Sequence, residues 1–145
     1  MDAAQALADL TEISSQIQAA VLIEPDGAVA ASTLTEDDRA EAFARAAREL
    51  VAAAEQIRSL GGESLTQLEV ATGDGSVFVV RDGGRTIAAT TSPEPTVGLV
   101  FYDLKSCLRS AAEEKPAEES RPKTKPKTSR RKKPAENGAD AADAT

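Results

Sequence analysis

The spacing of apolar residues changes period several times along the chain, and each change marks an element. Over residues 3–19, Leu7, Leu10, Ile13 and Ile17 recur at helical spacing. Asp2 stands at the N-cap position, with Gln5 three residues on as its capping-box partner. Two short apolar runs follow, residues 20–23 and 28–31, separated by Asp26-Gly27. An Asp-Gly step between two such runs predicts a hairpin, because glycine accepts positive φ. A long helix is predicted over residues 36–60, opened by Thr35 as N-cap and by the acids Glu36, Asp37 and Asp38, and stopped by Gly61-Gly62. Its apolar stripe is Ala40, Phe43, Ala47, Leu50, Val51, Ala54 and Ile57.

Beyond that helix the period falls to two. Residues 65–72 alternate, with Leu68 and Val70 on one side and Gln67, Glu69 and Ala71 on the other, as in a half-buried strand. Residues 76–81 hold the continuous apolar run Val77-Phe78-Val79-Val80, the pattern of a strand covered on both faces. Residues 85–91 make a last strand after the Asp82-Gly83-Gly84 turn, and Pro93 and Pro95 break the sheet. A final helix starts near Thr96 with Val97, Val100, Phe101, Leu104, Cys107, Leu108 and Ala111 on one face. The order α-β-β-α-β-β-β-α predicts an α/β (α+β) fold, a five-stranded antiparallel sheet with helices on its faces.

Composition divides the 145 residues into a body, residues 1–112, and a tail, residues 113–145. The body has 17 acids and 8 bases, the tail 7 acids and 9 bases, so an acidic part precedes a mixed to basic one. Apolar residues in the tail dwindle to scattered alanines, and residues 121–133 hold eight bases and no acid. Such a segment buries too little surface to offset its ordering entropy and is expected to be disordered. No apolar run reaches the ~18 residues of a membrane helix, and the N-terminus has no basic-then-apolar leader, so a cytoplasmic location is expected.

Candidate chemistry is sparse. The chain has no histidine, which removes the commonest general base and metal ligand. Its one cysteine, Cys107, falls on an apolar helix face with nothing to activate it. Gly73-Asp74-Gly75 lacks the frame of a phosphate-binding loop and reads as a turn. Glu36, Asp37 and Asp38 are successive helix-start positions that point in different directions, which does not make a metal cluster. We expect no enzyme and no cofactor.

The body resembles the Roadblock/dynein-light-chain domains, most of all their bacterial MglB-like branch. The likeness rests on Leu7, Leu10 and Ile17, on the stretch 20–27 (AVLIEPDG), on Val29-Ala30-Ala31-Ser32, on Ala54-Glu55, on Leu68-Glu69-Val70 and on residues 97–104 (VGLVFYDL). It covers the body and none of the tail. The resemblance implies a longin- and profilin-like fold with the long helix on one side of the sheet and the terminal helices on the other. It also implies a homodimer, or a heterodimer with a related domain, in which long helices face each other and third strands pair edge to edge. That would put Phe43, Ala46, Leu50, Ala53 and Ile57 at the helix pair, and Leu68 and Val70 at the shared edge. Bacterial members regulate small Ras-like GTPases as activating or scaffolding partners, and the resemblance does not imply that they supply an arginine finger.

Three features keep two or more readings. The extra alanines Ala42, Ala46 and Ala53 let a second helix come close, or they serve only as good helix formers. Arg39, Arg45 and Arg48 meet a GTPase, or form a solvated face with Glu41, Glu49 and Glu55. The tail cations Lys123, Lys125, Lys127, Arg130, Arg131, Lys132 and Lys133 meet nucleic acid, meet an anionic membrane, or only solubilise the chain. No aromatic residue lies among those cations, which argues against base stacking.

Overall fold

In a computed structural model, which describes residues 1–57 and 65–112, eight elements follow in the expected order. They are α1 (Ala3–Ile13), β1 (Ile17–Ile23), β2 (Val29–Ser32), α2 (Asp37–Ile57), β3 (Gln67–Thr72), β4 (Gly75–Asp82), β5 (Arg85–Thr91) and α3 (Val97–Ala112). The predicted stop of the long helix at Gly61-Gly62 and all of the tail lie outside the described residues.

Local chemistry sets the boundaries. The Asp2 carboxylate accepts the Gln5 N–H at 2.8 Å and so caps α1. The reciprocal half of the expected capping box is not made, because the Gln5 side chain donates forward to Asp9 instead. Helix α1 also ends earlier than its apolar spacing predicts. It stops at Ser14, whose backbone is extended and whose N–H makes the last helical bond, to the Leu10 carbonyl. Ile17, expected on the helix, opens β1 opposite Thr91, and Ile13 is left 73% exposed. At the start of α2 the Ala40 N–H bonds the Glu36 carbonyl, so Glu36 takes the flanking position expected of Thr35.

The five strands form one antiparallel sheet in the order β2-β1-β5-β4-β3. Glycine is required at two of its turns. Gly27 has φ +96° between β1 and β2, and its N–H reaches the Glu24 carbonyl at 2.8 Å. A Cβ on Gly75, which opens β4, would lie 2.1 Å from the Thr91 carbonyl oxygen, which no side chain survives.

Period two along the strands feeds two separate cores. Ala20 and Leu22 of β1, Phe78 and Val80 of β4, and Ile87 and Ala89 of β5 face α1 and α3. Val21, Ile23, Val79 and Ala88 face α2. The continuous apolar run of β4 is thus explained: both of its faces are covered. In the first core the Phe78 and Phe101 rings meet edge to face, centroids 5.0 Å apart at 77°. Cys107 is buried there as expected, and its thiol donates to the Ala6 carbonyl at 3.4 Å. Burial, aided by the nearby Asp9 charge, pushes that thiol up to about 11.

In the second core α2 contributes Ala40, Ala44, Ala47 and Val51. Ala44 was not in the expected stripe, although it follows Ala40 by one turn. Phe43, Leu50 and Ala54 are only half-buried, and Ile57 is 79% exposed. The apolar positions of α2 therefore split into a small-residue side on the sheet and a neighbouring flank, with Phe43 at the rim of the core, Leu50 half-buried and Ile57 exposed.

Candidate interaction surfaces

Helix α2 and the two sheet edges frame the surfaces open to a partner. Successive residues turn about 100° around a helix. Phe43, Ala46, Leu50, Ala53 and Ile57 therefore fall along one flank, and none is fully buried in the single chain. Phe43 and Leu68 both pack on the rim of the core beneath α2. Strand β3, which carries Leu68, is one end of the sheet. Leu68 and Val70 are half-buried, and Gln67, Glu69 and Ala71 are exposed. An alternating strand with a free ladder side offers its backbone to another strand.

A pair of side chains anchors the start of β3 to α2. Arg81 of β4 pairs with Glu55 of α2, and also donates to the Leu65 carbonyl from two of its nitrogens. Glu55 in turn accepts the Leu65 N–H at 3.3 Å. The Arg81 hydrogen bond, followed by the Leu65 amide, holds the Glu55 carboxyl below the usual carboxylate value. A second pair, Arg85 and Glu24 at 3.1 and 3.2 Å, ties β5 to the end of β1. Glu24, Arg48, Glu55 and Arg81 line a cleft of about 580 Å³ between α2 and the hairpin turns. Sequence reading did not foresee these links, because 26 and 61 residues separate the partners.

The three arginines do not lie together. Arg39 lies 3.9 Å from Glu36, with both side chains about two-thirds exposed, a pair of small energetic weight. It sits about 180° around α2 from Arg48. Arg45 and Arg48 line one groove along β2, and the Arg48 guanidinium stands over Gly27, where a Cβ would lie 2.7 Å from it. The tail cations lie outside the described residues.

Among the described residues no group of three or more histidine, cysteine, aspartate or glutamate side chains is arranged to hold a metal ion. Nor is any described helix long and apolar enough to cross a membrane.

Comparison with known structures agrees with this architecture. A crystallised Roadblock/LC7 domain from Streptomyces avermitilis superposes with a TM-score of 0.69 at 21% identity, covering 79% of this chain and 98% of that one. The gliding protein MglB of Thermus thermophilus gives 0.64 at 17% identity, over 77% and 86% of the two chains. Myxococcus xanthus MglB gives 0.58 at 16%, over 81% and 85%. At such identities the likeness is one of fold. No curated protein matches the sequence. The Roadblock/LC7 family model matches residues 4–92, which is more than half of the chain. The chain belongs to the Roadblock/LC7 domain family.

Proposed function

We propose that this domain is a non-catalytic, dimeric regulator or scaffold of a small Ras-like GTPase. The observation that carries the reading is the open flank of α2 running beside the free edge of β3 within a Roadblock fold. Phe43, Ala46, Leu50, Ala53 and Ile57 would meet their counterparts on a second α2, and Leu68 and Val70 would lie at a strand pair that joins two sheets. The partner is a second copy of the chain or a related Roadblock domain. The paired helices would then form the docking platform, and Arg45 and Arg48, which are turned toward β2, would meet only a GTPase that reaches around α2 to the hairpin side. Arg39 has a local acid to hold and is the weakest of the three candidates.

The absence of histidine and the buried, protonated thiol support a role through binding. In this scheme the domain repositions the GTPase's own residues. The tail, residues 113–145, would tether or tune the domain.

The test is affinity capture on full-length protein from lysate of the native host, with GDP or a non-hydrolysable GTP analogue, before and after nuclease treatment. Recovery of a small GTPase in one nucleotide state supports the proposal and names the state. Nuclease-sensitive recovery without a GTPase would overturn it in favour of a dimeric holder for basic tails. Single-turnover GTP hydrolysis by the recovered GTPase then separates an activator from a scaffold.

A further inference from the structure

The sheet has a second edge, formed by β2. Beside it lies a groove of about 600 Å³ whose opposite wall is the first three turns of α2. The strand wall is residues 27–32 and Leu34, mostly small. The helix wall is Asp37, Ala40, Glu41, Ala44, Arg45 and Arg48, small residues alternating with charged ones.

The backbone of β2 is available to this groove. Ser32 stands opposite Val21, while the next residue, Thr33, donates its N–H to the Ala20 carbonyl at 2.9 Å. Antiparallel pairs alternate between bonded and non-bonded, so Ser32 turns its own N–H and C=O away from β1. The Ser32 hydroxyl is occupied locally, accepting the Leu34 N–H at 2.9 Å.

The groove is also polarised. Helix α2 runs antiparallel to β2, because Asp37 follows soon after Ser32 while Arg48 stands over Gly27. Asp37 and Glu41 therefore mark one end, and Arg45 and Arg48 the other. Among the described residues neither arginine has an ion-pair partner.

We propose that this groove takes an extended segment of a partner protein as a sixth strand on β2. Strand addition at a sheet edge draws affinity from main-chain hydrogen bonds and selectivity from alternate side-chain pockets. From Asp37 to Arg48 the helix rises about 17 Å, which matches roughly five extended residues. Alanines at the groove floor admit small side chains only. Charge complementarity asks for a basic residue near Asp37 and Glu41, and an acidic residue near Arg45 and Arg48. In the antiparallel sense, the more stable one, the occupant runs from its basic to its acidic end. The groove faces away from the Leu50 flank of α2, so the proposal does not depend on the dimer or on a GTPase.

The probe is a fluorescein-labelled, acetylated and amidated heptapeptide, with lysine second, glutamate sixth, and alanine and valine between. Binding to full-length protein is followed by anisotropy and by amide shifts in 15N-labelled protein. Saturable binding is expected, with shifts at Ser32 and along the first three turns of α2. Arg45→Glu should weaken binding about fivefold, the upper range for one exposed ion pair, and a peptide with lysine in place of the glutamate should regain it. Ser32→Pro removes the outward N–H and should abolish binding. Should that variant fail to fold, the charge exchange at Arg45 decides alone. Absence of saturable binding, shifts confined to β3, or indifference of both peptides to Arg45→Glu would each overturn the proposal.

Discussion

The two sides of the sheet are built from different materials. On one side, α1 and α3 bury Leu7, Leu10, Val100, Leu104 and Leu108 against Phe78, Leu22 and Ile87. On the other, α2 meets the sheet through Ala40, Ala44, Ala47 and a single valine, Val51. Apolar area buried scales with side-chain size, at about 25 cal/mol per Å². The α1/α3 side therefore supplies most of the hydrophobic stabilisation. The α2 side supplies close approach instead. With alanines on the sheet, the helix carries its larger residues, Phe43, Leu50 and Ile57, where a partner can meet them.

This contrast can be broken first at its strong side. Phe78→Ala removes the largest fully buried side chain and should cost about 3–5 kcal/mol, measured by urea unfolding. Val51→Ala, at the core beneath α2, should cost about 2 kcal/mol, from two buried carbons and a small cavity. Equal losses at the two sites would contradict the asymmetry.

Titration sharpens the comparison more gently. Cys107 belongs to the α1/α3 side, and its folded value of about 11 stands above the ordinary 9.0. The protonated thiol is favoured in the folded state, so its contribution is complete below pH 9 and is lost as pH rises from there toward 11. Native protein at pH 8 should resist iodoacetamide and become reactive on unfolding. Glu55 belongs to the α2 side and shifts the other way. Its link to Arg81 and Leu65 is complete above the ordinary carboxylate value of 4.5, and is lost as pH falls through the lowered folded value. Hydrogen exchange at the Leu65 amide should rise in that acid window, ahead of amides in β5. The smallest effect is expected from deleting residues 113–145, which should leave the melting temperature nearly unaltered. A large fall would contradict the reading of the tail as a separate segment.

The elements were legible in the sequence wherever one period ran unbroken. The Asp26-Gly27 hairpin, the alternation of Leu68 and Val70, and the stripe of α3 appear where spacing put them, except that Val97, at the head of that stripe, lies exposed on the first turn. The end of α1 was not legible, because Ile17 satisfies a helical period and a strand period equally well. Pairing with Thr91, which is tertiary, decides it. The stripe of α2 was blurred for a related reason. Alanine fits either side of a helix, so Ala44 went unseen, and the expected stripe mixed the buried Ala40, Ala47 and Val51 with the exposed Ile57. The link among Glu55, Arg81 and Leu65 joins three elements, and no local signal carries it. The separation of Arg39 from Arg48 follows from the helical period, and only the approach of Arg48 to Gly27 needed α2 set on the sheet.

The most direct test of the central claim, that the alanine side of α2 leaves its neighbouring flank for a partner, is sedimentation equilibrium on wild type and Leu50→Arg. Wild type should sediment with the mass of two chains. Leu50→Arg should have the mass of one chain with an unchanged circular dichroism spectrum, because a desolvated charge at a helix pair costs at least about 2 kcal/mol, some thirtyfold in Kd. A single-chain wild type, or a two-chain mass that survives Leu50→Arg, would contradict the account.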